Sequence, residues 1–113
     1  MNSRTRYWQP PTDVYENEHE VTVRMEIAGM RVEDFDINFE RNILTITGFR
    51  QDTSVQDVFR QIEIRYGEFA SQVEINASVD IARANAEYHD GFLLLTLPKV
   101  QPTRINIKTI KII

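Results

Sequence analysis

Residues 86 to 99, Ala-Glu-Tyr-His-Asp-Gly-Phe-Leu-Leu-Leu-Thr-Leu-Pro-Lys, constrain this chain more than any other stretch. Asp90-Gly91 is a turn: the Asp side chain bonds to nearby backbone and Gly takes positive φ without steric cost, a strong hairpin signal between extended runs. Phe92 to Leu97 then puts Leu93, Leu95 and Leu97 on one face and Phe92 and Leu94 on the other, which predicts a strand covered on both faces. Pro98 ends it, because proline has no N–H to give to a ladder.

The rest of the chain is written in the same alphabet. Val21, Val23, Met25 and Ile27 alternate with polar residues, as do Phe35, Ile37 and Phe39, and Asp13 to Glu16 can pair as a short strand. Arg41-Asn42 is a turn before the β-branched run Ile43 to Thr47, and so tight a connection predicts an antiparallel hairpin. Arg50 to Asp57 is a polar loop, Val58 to Tyr66 a further strand, and Val73 and Ile75 carry another between Ser71 and Ala77. Seven or eight short strands and no helix of ordinary length predict an antiparallel β-sandwich over one core.

One domain is what 113 residues support. No apolar run approaches the roughly 20 residues of a membrane span. The first eight residues lack the apolar core of a secretory signal, which leads to the expectation of a cytoplasmic protein. Without cysteine, disulfides and thiolate metal sites are excluded. Charge is unevenly placed: residues 1 to 98 hold nine Lys and Arg against seventeen acids, while Lys99, Arg104, Lys108 and Lys111 stand on a tail with no acid. An acidic body argues against nucleic acid as partner and favours the tail finding an acidic protein surface, including that of a second copy.

Residues 1 to 11 form a short arm, 12 to 99 the domain and 100 to 113 an extension. The extension holds two apolar pairs, Ile105 with Ile107 and Ile110 with Ile112, each projecting to one side of an extended chain. A change of parity prevents one straight strand from presenting all four together. They are either ligands for a groove or a last strand pairing locally.

These residues resemble the α-crystallin domain of the small heat-shock proteins over about nine tenths of the chain. The hallmark stretch is met by Ala86, Tyr88, Asp90, Gly91, Phe92 and Leu93 and closed by Leu97-Pro98-Lys99; Ile27-Ala28-Gly29-Met30, Asn42 to Ile46 before Gly48, and Tyr66-Gly67-Glu68-Phe69 support it. The resemblance implies an all-β, antiparallel, immunoglobulin-like β-sandwich and an ATP-independent holdase that binds partly unfolded client proteins. It also implies self-association as a dimer or larger homo-oligomer. The segment carrying Val55, Val58 and Phe59 would reach a partner's sheet, and a tail Ile-x-Ile would dock in a groove between the strand of Phe35, Ile37 and Phe39 and that of Val73 and Ile75. Family spacing after Leu-Pro-Lys favours Ile105 and Ile107 over Ile110 and Ile112. Ordinary core packing is the competing account of the groove residues. Where the family has an Arg and a Pro after Phe69, this chain has Ser71 and Asn76.

Chemistry-bearing motifs are sparse. His19 and His89 have acidic neighbours but stand far apart, which fits surface positions beside turns better than a metal site. No Gly-rich phosphate loop and no Gly-x-Ser-x-Gly is present, so neither ATP use, another cofactor nor an enzyme is expected. The alternative from a different class is a CS-domain-like adaptor of the same sandwich fold that docks on one folded partner.

Overall fold

The structure is a computed structural model, and it describes residues 7–53, 57–101 and 110–113. Seven strands follow in order: β1 (Thr12–Glu16), β2 (Glu20–Glu26), β3 (Phe35–Glu40), β4 (Ile43–Arg50), β5 (Gly67–Glu74), β6 (Asn85–His89) and β7 (Phe92–Pro98). They form two antiparallel sheets, one of four strands ordered β1-β2-β7-β6 and one of three ordered β3-β4-β5. Single 3-10 turns at Val32–Asp34 and Ile81–Arg83 occupy connections that carried no alternation. No helix among the described residues is long and apolar enough to cross a membrane.

The two hairpin turns have the geometry their residues demand. Arg41 and Asn42 both take positive φ, 53° and 64°, and so do Asp90 and Gly91 at 51° and 81°. Two successive left-handed residues twist with the flanking strands, which is why such turns join β3 to β4 and β6 to β7.

Inward residues of both sheets close the core. Leu93, Leu95 and Leu97 oppose Met25, Val23 and Val21 in the β2–β7 ladder, and all six are buried. In the other sheet Leu44 and Ile46 lie between β3 and β5, with Phe69 and Ile75 completely covered. The second face of β7 departs from expectation. Phe92 is exposed and Leu94 half-buried, with the Arg24 guanidinium 5.8 Å from the Phe92 ring. Antiparallel sheets tolerate a wetted face where parallel ones do not, so apolar residues on both sides of β7 did not require a layer on both sides.

Two further expectations change. Residues 57 to 66 form no strand, although Val58, Ile62, Ile64 and Tyr66 share a parity. Alternation prepares a segment for a ladder, but no edge among the described residues supplies the partner. Trp8, placed by sequence in the arm, packs in the core against Phe69 with ring centroids 5.7 Å apart. A single bulky residue among polar neighbours has no periodicity to announce burial.

Candidate functional site: two seams and a projecting segment

Because each sheet has two edges, a sandwich has two seams where the layers meet. At the first, β3 lies beside β6, and the Phe35 ring rests 5.2 Å from Tyr88. Phe35, Ile37 and Phe39 all face inward yet stay partly exposed. So does Ala86, which opposes buried Leu95 and shares its face but is itself exposed. An inward residue that remains exposed is incompletely covered by the opposite layer, so this seam presents a row of partly exposed apolar side chains. Tyr88 also holds its rim: its hydroxyl donates to the Ile27 carbonyl (2.7 Å) and accepts the Met30 N–H (3.2 Å).

The groove expected from sequence is thereby divided. β4 lies between β3 and β5, so Phe35, Ile37 and Phe39 cannot share a cleft with Val73. Val73 is half-buried on β5, at the opposite edge of the same sheet, and Ile75 is sealed in the core with its N–H on the Asn42 carbonyl (2.8 Å). Equal alternation on two strands could not reveal that a third ran between them. Tyr88 and Ala86, the second wall, belonged to the hallmark stretch and shared a parity that would have paired them with the groove.

The other seam lies between β1 and β5. Val14 faces inward opposite Val23, yet it is about half exposed. It borders a hollow shared with Pro10, Pro11, Ser71 and Val73. Chain before β1 crosses this seam to reach the β5 edge.

Residues 57 to 66 stand out from the sandwich. Val58 is 89%, Phe59 52%, Ile62 72% and Ile64 65% exposed. Their root is fastened by Arg50, whose guanidinium donates to the Arg65 carbonyl (Nε 3.0 Å, with Nη2 on the same oxygen) and to the Ala28 carbonyl (3.3 Å). The same cation lies 4.7 Å from the Trp8 ring and 5.3 Å from the Tyr66 ring. Of the expected subunit-contact residues, Val58 and Phe59 are on this segment, while Val55 lies outside the described residues. Ile62 and Ile64 complete its apolar row; sequence had assigned them to a strand of the sandwich.

Of the tail pairs, Ile105 and Ile107 also lie outside the described residues, and Ile110 and Ile112 are almost fully exposed. The family motif has structural work: Gly91 makes the turn, Leu93 the core, and Pro98 ends β7 with its carbonyl accepting the Asp80 N–H (2.8 Å). Lys99 then pairs with Glu16 at 2.6 Å before the chain leaves the sandwich. His89 pairs with Asp90 in the open (3.2 Å), and no group of metal-ligating side chains forms among the described residues.

Residues 13–113 match the Hsp20/alpha crystallin family, so Trp8 lies ahead of the matched region. A probable 15 kDa heat shock protein of Leptospira interrogans is 31% identical over 105 residues, covering 93% of this chain and 81% of that one. Heat shock protein 16.0 from Schizosaccharomyces pombe superposes with a TM-score of 0.79 at 31% identity, over 98% of this chain and 80% of that one. A small heat-shock protein from Xylella fastidiosa, described as having a distinct high order structure, superposes with a TM-score of 0.73 at 27% identity, over 90% of this chain and 98% of the other. With its hallmark turn, its two-sheet sandwich and these matches in agreement, the chain belongs to the Hsp20/alpha crystallin family, the small heat-shock proteins.

Proposed function

We propose that this protein is an ATP-independent holdase, which binds partly unfolded proteins through exposed apolar edges and keeps them from aggregating without turnover. The observation that carries this is the projecting row of Val58, Phe59, Ile62 and Ile64, an apolar, strand-patterned segment that joins no sheet among the described residues. Such a row supports binding to another extended chain, first that of a second copy. β1 is an edge strand with four of its five residues exposed, and pairing with a partner's segment would cover both. The dimer would expose two β3–β6 grooves, each open to a tail pair of isoleucines from a neighbouring subunit or to a client. Holding non-native chains lowers the free concentration that feeds aggregation, which needs affinity and no chemical step.

The test is light scattering from a heat-labile client with and without the full chain and without nucleotide. Suppression that added ATP does not alter is the expected result. A scattering trace unchanged at a molar excess of the protein overturns the reading.

A further inference from the structure

The β1–β5 seam is partly filled by the protein's own chain. Trp8 joins β5 by a parallel bridge to Phe69: its N–H donates to the Glu68 carbonyl (3.2 Å) and its carbonyl accepts the Ala70 N–H (3.1 Å). Its ring is buried against Phe69, and its Nε1 makes only a long contact with the Gly67 carbonyl (3.4 Å). The bridge cannot grow into a ladder, because Pro10 and Pro11 follow and neither has an N–H. Beyond them the chain is tied to the other sheet, with the Pro11 carbonyl accepting the Glu26 N–H (2.9 Å).

This is how an extended ligand binds a sheet edge: backbone bonds along the strand and one large side chain in a pocket. The edge also continues past the strap. Glu68 and Ala70 turn their peptide groups toward Trp8, so strand alternation turns those of Gln72 the same way, beside the hollow bordered by Val14 and Val73.

Resting on the holdase reading, we propose that residues 7 to 11 are a displaceable strap and that the seat beneath Trp8, with the β5 edge from Glu68 to Gln72, takes an extended client segment carrying an aromatic residue. The strap is a resident imitation of such a segment. Two backbone bonds hold it to the β5 edge and one more to β2, whereas a client without the two prolines forms a longer ladder on the same β5 edge and fills the same pocket. Release also removes one of the two rings beside the Arg50 guanidinium. Seat occupancy is thereby linked to the root of the projecting segment.

The chain contains one tryptophan and no cysteine, which makes the test direct. Trp8 emission is followed while a tryptophan-free, heat-labile client is titrated onto the full chain at the client's unfolding temperature. A shift to longer wavelength, saturating with the suppression of scattering, is expected. A pentapeptide of the strap sequence with Phe for Trp, Tyr-Phe-Gln-Pro-Pro, is expected to produce the same shift without a client. Gln9 and Gln72 are exposed and border one hollow, so Gln9→Cys with Gln72→Cys is joined by a short, reductively cleavable linker. The linked protein is expected to show no emission shift and to lose most of its protection, recovering both on cleavage. Protection with unchanged Trp8 emission, or linked protein that protects as well as cleaved, overturns the strap while leaving the holdase reading intact. Absence of protection in the unmodified chain overturns both.

Discussion

Gly48 and Gly91 are the two positions where a single carbon decides the packing, for different reasons. At Gly48 the constraint is space: a Cβ would stand 2.5 Å from the Phe69 ring and 2.7 Å from the Asp34 carbonyl. Gly48→Ala is therefore expected to cost about 1 to 3 kcal/mol through overpacking, since neither the backbone oxygen nor the enclosed ring can yield. At Gly91 the constraint is the backbone, φ +81°, with Ala28 only 3.3 Å from a prospective Cβ. Gly91→Val should lose about 1 kcal/mol or more. Denaturant midpoints check both, and an unchanged midpoint in either variant removes its explanation. Asp34 supplies a third residue-level effect. The Arg31 backbone N–H (3.1 Å) and then its guanidinium (3.4 Å) bond the carboxylate and hold its pKa below the usual carboxylate range. A lowered folded-state pKa gives stabilisation that is complete above the unfolded value and lost as pH falls through the folded one. Asp34→Asn should thus be less stable than the parent near neutrality and approach it in acid. Urea midpoints that differ by the same amount at neutral and strongly acid pH would contradict this.

Among the elements, the projecting segment is the one whose sequence and conformation disagree most. Its alternation suits a strand, and β1 is the exposed edge proposed to receive it from a partner. Ile62→Asp with Ile64→Asp places two charges in that proposed contact. Such substitutions should leave the sandwich folded, because both side chains are largely exposed in the single subunit. Analytical ultracentrifugation should show the dimer giving way to monomer at micromolar concentration, with far-UV circular dichroism largely preserved. A wild-type monomer under the same conditions, or a variant that remains dimeric, refutes the contact. Arg50 belongs to this scale as well: Arg50→Ala frees the Arg65 carbonyl and the Trp8 and Tyr66 rings together. It should weaken the dimer without touching the proposed interface, whereas truncating Arg60, farther along the segment, should not.

At the scale of the whole molecule, the proposed role of the basic tail is to join an acidic body to its neighbours. Burying two isoleucines in a β3–β6 groove gains on the order of 3 to 6 kcal/mol at most. Ordering the backbone costs about 1 to 2 kcal/mol per residue, so on this proposal one tail would dock weakly and exchange, while two tails on a dimer would hold together. Weak docking would leave the proposed groove available to a client. Ile105→Ala with Ile107→Ala should reduce assembly size by native mass spectrometry, more than Ile110→Ala with Ile112→Ala does. Equal size in both double variants and the parent would show that neither pair docks.

Much of this molecule is determined locally and could be read without a structure. Asp90-Gly91 and Arg41-Asn42 enforce their turns, and strict alternation assigns Val21, Val23 and Met25, or Leu93, Leu95 and Leu97, to one face, because these are properties of a few adjacent residues. What adjacent residues do not contain is which strands become neighbours. Sheet order put β4 between Phe35–Phe39 and Val73, gave the groove Tyr88 and Ala86 as its second wall, and enclosed Ile75. It also left Val58 to Tyr66, a strand pattern interrupted only at Arg60, with no partner strand among the described residues, since a strand exists only when another edge accepts its hydrogen bonds. Trp8 is the plainest case: nothing around it is periodic, and its burial rests on Phe69, sixty-one residues later, which only the closed sandwich brings within reach.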